Sequence, residues 1–170
     1  MNLAERRRAL MVQQGDGNLA VFKDKGYQVG AESIEEISGG YRVTSKLASG
    51  GWGAYRLFYI TTLAITEKLW GKNVKVSADI KPKYDTARPY FRLGYQKPGP
   101  DWGMTIFTRV SGNDNVYQAG RCEVIYSLPD TRPTNMIDGE PIQVIVNVQT
   151  AATEEPNTVE ITNVRLEVVE

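Results

Sequence analysis

Histidine is absent from the 170 residues, and cysteine occurs once, as Cys122. Without histidine there is no Ser–His or Cys–His catalytic pair, no imidazole metal ligand and no imidazole switch near neutral pH. One thiol makes neither an internal disulfide nor a thiolate zinc site. Net charge is missing too: 20 Lys+Arg balance 20 Asp+Glu, which leaves no basic field to hold nucleic acid. No run approaches the ~20 apolar residues of a membrane-crossing helix, so no membrane partner is expected. The basic run Arg6-Arg7-Arg8 precedes too short an apolar stretch for a secretory signal, and no Asn-x-Ser/Thr sequon occurs. A lone thiol with no signal suits synthesis in a reducing bacterial cytoplasm.

What is present is a single-domain quantity of apolar residues, 41%, with 24% charged. Residues 1–16 read as a separate N-terminal helix and turn. Asn2 can cap a helix over Leu3–Gln14, and Glu5 completes a capping box. Leu3, Leu10 and Met11 give it a thin apolar stripe, so it must dock on the body, pair with copies of itself or pack on a partner. Gly15-Asp16-Gly17-Asn18 then marks a turn, and the period changes from helical to alternating.

Residues 17–170 read as one β domain. Strands are expected near Leu19–Lys23, Tyr41–Lys46, Trp52–Ile60, Asn73–Lys81, Tyr90–Gln96, Gly103–Val110, Arg121–Ser127, Ile142–Thr150 and Thr158–Val169, with a helical turn at Thr66–Trp70. About nine short strands at this spacing indicate an antiparallel sandwich or barrel. Alternation assigns faces. Val74, Val76, Ala78 and Ile80 oppose Lys75, Ser77, Asp79 and Lys81; Phe91, Leu93 and Tyr95 oppose Tyr90, Arg92 and Gln96. Ile142, Val144, Val146 and Val148 oppose Gln143, Ile145, Asn147 and Gln149. In the last strand the parity breaks, because Val159 and Ile161 are odd while Val164, Leu166 and Val168 are even. A β-bulge or bend at Thr162-Asn163 would restore one buried face.

Few constellations carry covalent chemistry. The carboxylate pairs Glu35-Glu36, Asp138/Glu140 and Glu154-Glu155 lie in expected loops and read as solvated acids, not as a glycosidase pair. Ser49-Gly50-Gly51-Trp52-Gly53 lacks the Lys-Ser/Thr of a phosphate loop. Ser111-Gly112-Asn113-Asp114-Asn115 reads as a hairpin turn, not an EF-hand loop. No catalytic residue and no cofactor are assigned. No motif supports a structural calcium ion, although backbone carbonyls could hold one without leaving a mark in the sequence. The aromatic residues point to binding instead. A flat ring flanked by hydrogen-bonding groups suits the C–H face and hydroxyls of a sugar. The candidate ligand contacts are Tyr90 and Arg92 on one polar strand face, Asn147 and Gln149 on another, and Trp102 in the loop Lys97-Pro98-Gly99-Pro100-Asp101-Trp102-Gly103.

The strand Val74-Lys75-Val76-Ser77-Ala78-Asp79-Ile80-Lys81 and the ending Val159-Glu160-Ile161-Thr162-Asn163-Val164-Arg165-Leu166-Glu167-Val168 resemble strands of the jelly-roll carbohydrate-binding modules of the galactose-binding-like superfamily. The opening Asn2-Leu3-Ala4-Glu5-Arg6-Arg7-Arg8-Ala9-Leu10-Met11 resembles the start of tail or minor structural proteins of phages and prophages of Gram-positive bacteria. Together these resemblances imply a non-catalytic jelly-roll β-sandwich in a virion, contacting a cell-surface saccharide of a Gram-positive host. The alternative they leave open is a structural module that meets other virion proteins or copies of itself. The early acidic residue that helps hold a structural calcium in that superfamily has no counterpart near residues 19–40.

Overall fold

The computed structural model describes residues 2–3, 17–29, 31–45, 53–82, 87–110, 115–116, 120–150 and 158–169. The N-terminal helix expected over Leu3–Gln14 lies almost wholly outside the described residues. Among the described residues, eleven strands and one helix follow. They are β1 (Val21–Val29), β2 (Ala31–Ile37), β3 (Gly40–Ser45), β4 (Gly53–Ile60), α1 (Leu63–Leu69), β5 (Asn73–Pro82), β6 (Ala87–Pro98), β7 (Thr105–Arg109), β8 (Asn115–Val116), β9 (Gly120–Ser127), β10 (Gln143–Thr150) and β11 (Thr158–Val169). One sheet has the order β1-β4-β10-β6-β7, with β8 also on β6; the other has the order β2-β3-β11-β5-β9. Every described pairing is antiparallel. The architecture is the expected all-β antiparallel sandwich of jelly-roll type.

The nine expected strands are present, and β2 and β8 are additions. β2 is poor in β-branched residues and carries Glu32, Glu35 and Glu36, a composition that argues against a strand on propensity. It forms because it is an edge strand, where charge is tolerated and discourages further pairing. Glu35-Glu36 therefore sits in a strand, not a loop. The turn Ser38-Gly39 joins β2 to β3, with Gly39 at φ 80°, a left-handed conformation that a Cβ penalises.

The alternating rows meet between the sheets. Leu57, Phe91, Leu93, Val144 and Val146 come from one sheet; Val43, Val74, Val76, Ala78, Ile80, Val159, Ile161 and Leu166 come from the other. Burying rows like these, at about 25 cal/mol per Å² of apolar surface, is the main stabilising term. The Tyr126 hydroxyl bridges the layers by donating to the Phe91 carbonyl at 3.2 Å. Cys122 is buried in the same core, which raises its thiol pKa, with Arg121 opposing and Asp79 adding to the rise.

The parity break in β11 is resolved as expected. Its pairing with β5 shifts register between Thr162 and Arg165, and Asn163 has φ 52°. Val159, Ile161, Val164 and Leu166 are thereby all buried, while Val168, beyond them, is exposed. Asn18 ties the entering chain to this bulge. Its Oδ1 accepts from the Leu166 amide at 3.1 Å, and its Nδ2 donates to the Val164 carbonyl at 3.2 Å. α1 starts three residues before the expected turn, because Thr62 caps it by accepting from the Ile65 amide. Fully buried Thr66 then fastens the helix to the chain entering β10: its hydroxyl meets that of Thr61 and accepts from the Ile142 amide at 3.1 Å.

Candidate functional site

The six-stranded sheet has a second face, turned away from the core. Its middle is formed by β6 and β10, whose register sets Tyr90 opposite Asn147 and Arg92 opposite Ile145. The period of two that sends Phe91, Leu93, Val144 and Val146 inward sends these four outward. Sequence alone placed Tyr90 and Arg92 on one polar face and Asn147 on another; the fold makes them neighbours on one surface.

That surface is not a solvated face. Asn147 is 0% exposed, Ile145 2%, Gln143 3% and Tyr90 4%. The expectation of one buried and one open face therefore fails at β10, whose described side chains are buried on both sides. A central strand between two others is shielded by its neighbours' side chains, which alternation does not reveal. Buried amides and phenols must then find partners. The Tyr90 hydroxyl accepts from Asn147 Nδ2 and from Arg92 Nη2, the latter at 3.2 Å. The Arg92 guanidinium also lies 5.0 Å from the centre of the Tyr90 ring, within cation–π range. Among the described residues, Asn147 Oδ1 has no hydrogen-bond partner. Next along the face, Gln96 Nε2 donates to Gln143 Oε1 at 3.3 Å.

Phe107 belongs to the same surface. β7 pairs with β6 so that Phe107 stands opposite Gln96 and Arg109 opposite Gly94. The Phe107 ring fills the space over Gly94, where an added Cβ would collide with it and with the Thr108 carbonyl. Sequence reasoning did not select Phe107. The available signal was the glycine inside a strand, which marks close approach by another group. Of the two rings on this face, Tyr90 is buried and Phe107 is half-buried.

The remaining candidates stand apart. Gln149 pairs with Ala54 and Arg88, on the same strand face as Asn147, but its side chain is outside the described residues. Trp102 is fully exposed in the turn between β6 and β7. It lies beyond Pro98, at the opposite end of β6 from Tyr90, and eight strand residues span roughly 26 Å. Met104, beside it, is 46% exposed. Among the described residues, no group of three or more acidic or cysteine side chains is placed to hold a metal ion, and no helix is long and apolar enough to cross a membrane.

No protein-family model and no curated protein sequence matches this chain. Solved structures do. A CBM4 structure shares 13% identity with a TM-score of 0.51, covering 94% of this chain and 99% of its own. A family 30 carbohydrate-binding module shares 16% identity with a TM-score of 0.49, covering 89% of each chain. An enzymatically active domain of the bacteriophage CBA120 tailspike protein 4 shares 11% identity with a TM-score of 0.43, over 88% of this chain and 19% of that one. The chain thus has the jelly-roll sandwich fold of a carbohydrate-binding module, at an identity where fold is what is shared.

Proposed function

We propose that this chain is a non-catalytic saccharide-binding module whose ligand lies across the outer face of the six-stranded sheet. A jelly roll supports many roles, so the site and not the fold must argue for this one. The observation that carries the reading is the composition of that face: a guanidinium, a phenol, amides and a phenylalanine ring occupy it, and Asn147 Oδ1 lacks a partner among the described residues. Neutral hydroxyl-rich ligands need both donors and acceptors beside an apolar plate. Arg92 and Gln96 supply polar contacts at the surface, and Phe107 supplies the plate. Tyr90 and Asn147 are positioning residues that hold Arg92 from beneath, and Gln149 extends the row. Trp102 is a separate contact for a longer chain. No step here makes or breaks a covalent bond, and the module needs no cofactor.

The N-terminal resemblance supports a further placement: a tail or minor structural protein of a phage or prophage virion, made in the cytoplasm and directed at a Gram-positive cell-surface saccharide. A screen of purified cell-wall glycans, followed by calorimetry, tests the role. Arg92→Ala and Phe107→Ala are each expected to weaken binding about tenfold, roughly 1.4 kcal/mol. Binding that survives both changes, or its absence for every glycan, overturns the reading.

The exposed pair Trp102 and Met104 favours a second reading, an assembly module acting through protein contacts. It predicts a multimer in solution that Trp102→Ala or removal of residues 1–14 converts to a monomer.

A further inference from the structure

A recess lies on the other side of the six-stranded sheet, at the end of the sandwich where β1, β3 and β11 converge. Its volume is about 530 Å³, within the range of small-ligand sites. Three aromatic rings line it: Phe22 of β1, Tyr41 of β3 and Tyr59 of β4. Phe22 stacks on Tyr41 with ring centres 4.4 Å apart, and meets Tyr59 nearly edge-on at 5.5 Å. Neither phenol hydroxyl has a hydrogen-bond partner among the described residues. Burial raises the pKa of both phenols, so they stay neutral.

The wall also carries Glu36, the cross-strand partner of Tyr41. Its carboxylate is close enough to add to the rise in the Tyr41 pKa. Its neighbour Glu35 is paired with Arg42 on the opposite side of the strand, and Arg165 at the rim is paired with Glu167. Glu36 has no ion-pair partner among the described residues. The recess therefore offers aromatic surface, two neutral phenols and one carboxylate without an ion-pair partner among the described residues, with the Glu167-paired guanidinium of Arg165 at its rim.

From this juxtaposition we infer that the recess binds a small organic ammonium group, held by the Glu36 carboxylate and the faces and hydroxyls of Tyr41 and Tyr59. A cation over aromatic rings gains from their quadrupole, and an adjacent carboxylate adds charge that a neutral ligand cannot use. The ammonium could sit on a sugar ring or on a purely aliphatic body. This site is separate from the sheet face argued above and does not depend on it.

The test uses the full chain and four probes: glucosamine, tetramethylammonium, N-acetylglucosamine and glucose, followed by tyrosine fluorescence and side-chain NMR shifts. At least one ammonium probe is expected to bind about tenfold more tightly than the two neutral sugars. Glucosamine alone responding identifies an amino sugar; both responding identifies a general organic ammonium. Glu36→Gln changes an exposed residue and is expected to remove the preference while the melting temperature is kept. Arg92→Ala is expected to leave it intact. A response of the Tyr41 and Tyr59 signals to N-acetylglucosamine equal to that to the ammonium probes, no response of these signals to any probe, indifference to Glu36→Gln, or loss with Arg92→Ala overturns the proposal.

Discussion

At the scale of a residue, Tyr90 concentrates the most on one atom. Its hydroxyl is the shared acceptor of Arg92 and Asn147, and Asn147 already buries one oxygen that has no partner among the described residues. Tyr90→Phe keeps the ring and removes that acceptor, leaving a fully buried amide with neither end satisfied by it. The expected cost is about 1–3 kcal/mol in urea unfolding, larger than for loss of an exposed hydrogen bond. Tyr59 gives a prediction in pH. Burial, with a smaller contribution from Tyr41, holds its pKa well above the usual 10, so the folded state keeps a proton that the unfolded chain releases. Its contribution is complete below the unfolded value and is lost as the pH rises through the folded one. The melting temperature is expected to fall progressively as the pH rises above about 10, and less steeply in Tyr59→Phe.

At the scale of an element, β11 and β10 show what alternation can and cannot reveal. In β11 the break between odd and even apolar residues located the bulge, because only an extra residue lets both sets face the core. Asn163 takes the left-handed conformation this requires, donates its amide to the Gly39 carbonyl and offers its own carbonyl to Arg121. Asn163→Gly is expected to leave thermal stability within about 0.5 kcal/mol. Asn163→Val, whose branched Cβ resists positive φ, is expected to cost about 1–2 kcal/mol. A Val substitution that melts like the parent would show that the bulge relaxes. β10 was legible as a strand but not as one buried on both faces, since its place between β4 and β6 is set by pairings far away in sequence. β2 was illegible because its glutamates obey the needs of an edge, a position that only the assembled sheet defines. The candidate site was legible to the same extent. Tyr90, Arg92 and Asn147 were chosen separately by residue type, and the register of β6 on β10 brought them together. Phe107 was hidden because its placement depends on Gly94 in the neighbouring strand.

At the scale of the whole molecule, the two faces of the six-stranded sheet do different work. The inner face meets the second sheet, and the outer face and the open end of the sandwich carry the two candidate sites. The middle of the six-stranded sheet is β10, and the middle of the five-stranded sheet is β11. Removing Thr158–Glu170 deletes the strand that joins β3 to β5, so the remainder is expected to lose its cooperative thermal transition and expose its core to a hydrophobic dye. Retention of a sharp transition would show that the remaining strands can close the sandwich without it.

The placement of these two strands also sets the order of events at the ribosome. Neither sheet can close while β10 and β11 are still untranslated, so the earlier hairpins wait with their apolar rows uncovered. The distant pairings form only after the earlier strands have been made, an arrangement of high contact order that slows folding. Chains stalled before residue 143 are the species most exposed to aggregation, and the ones a holding chaperone would protect.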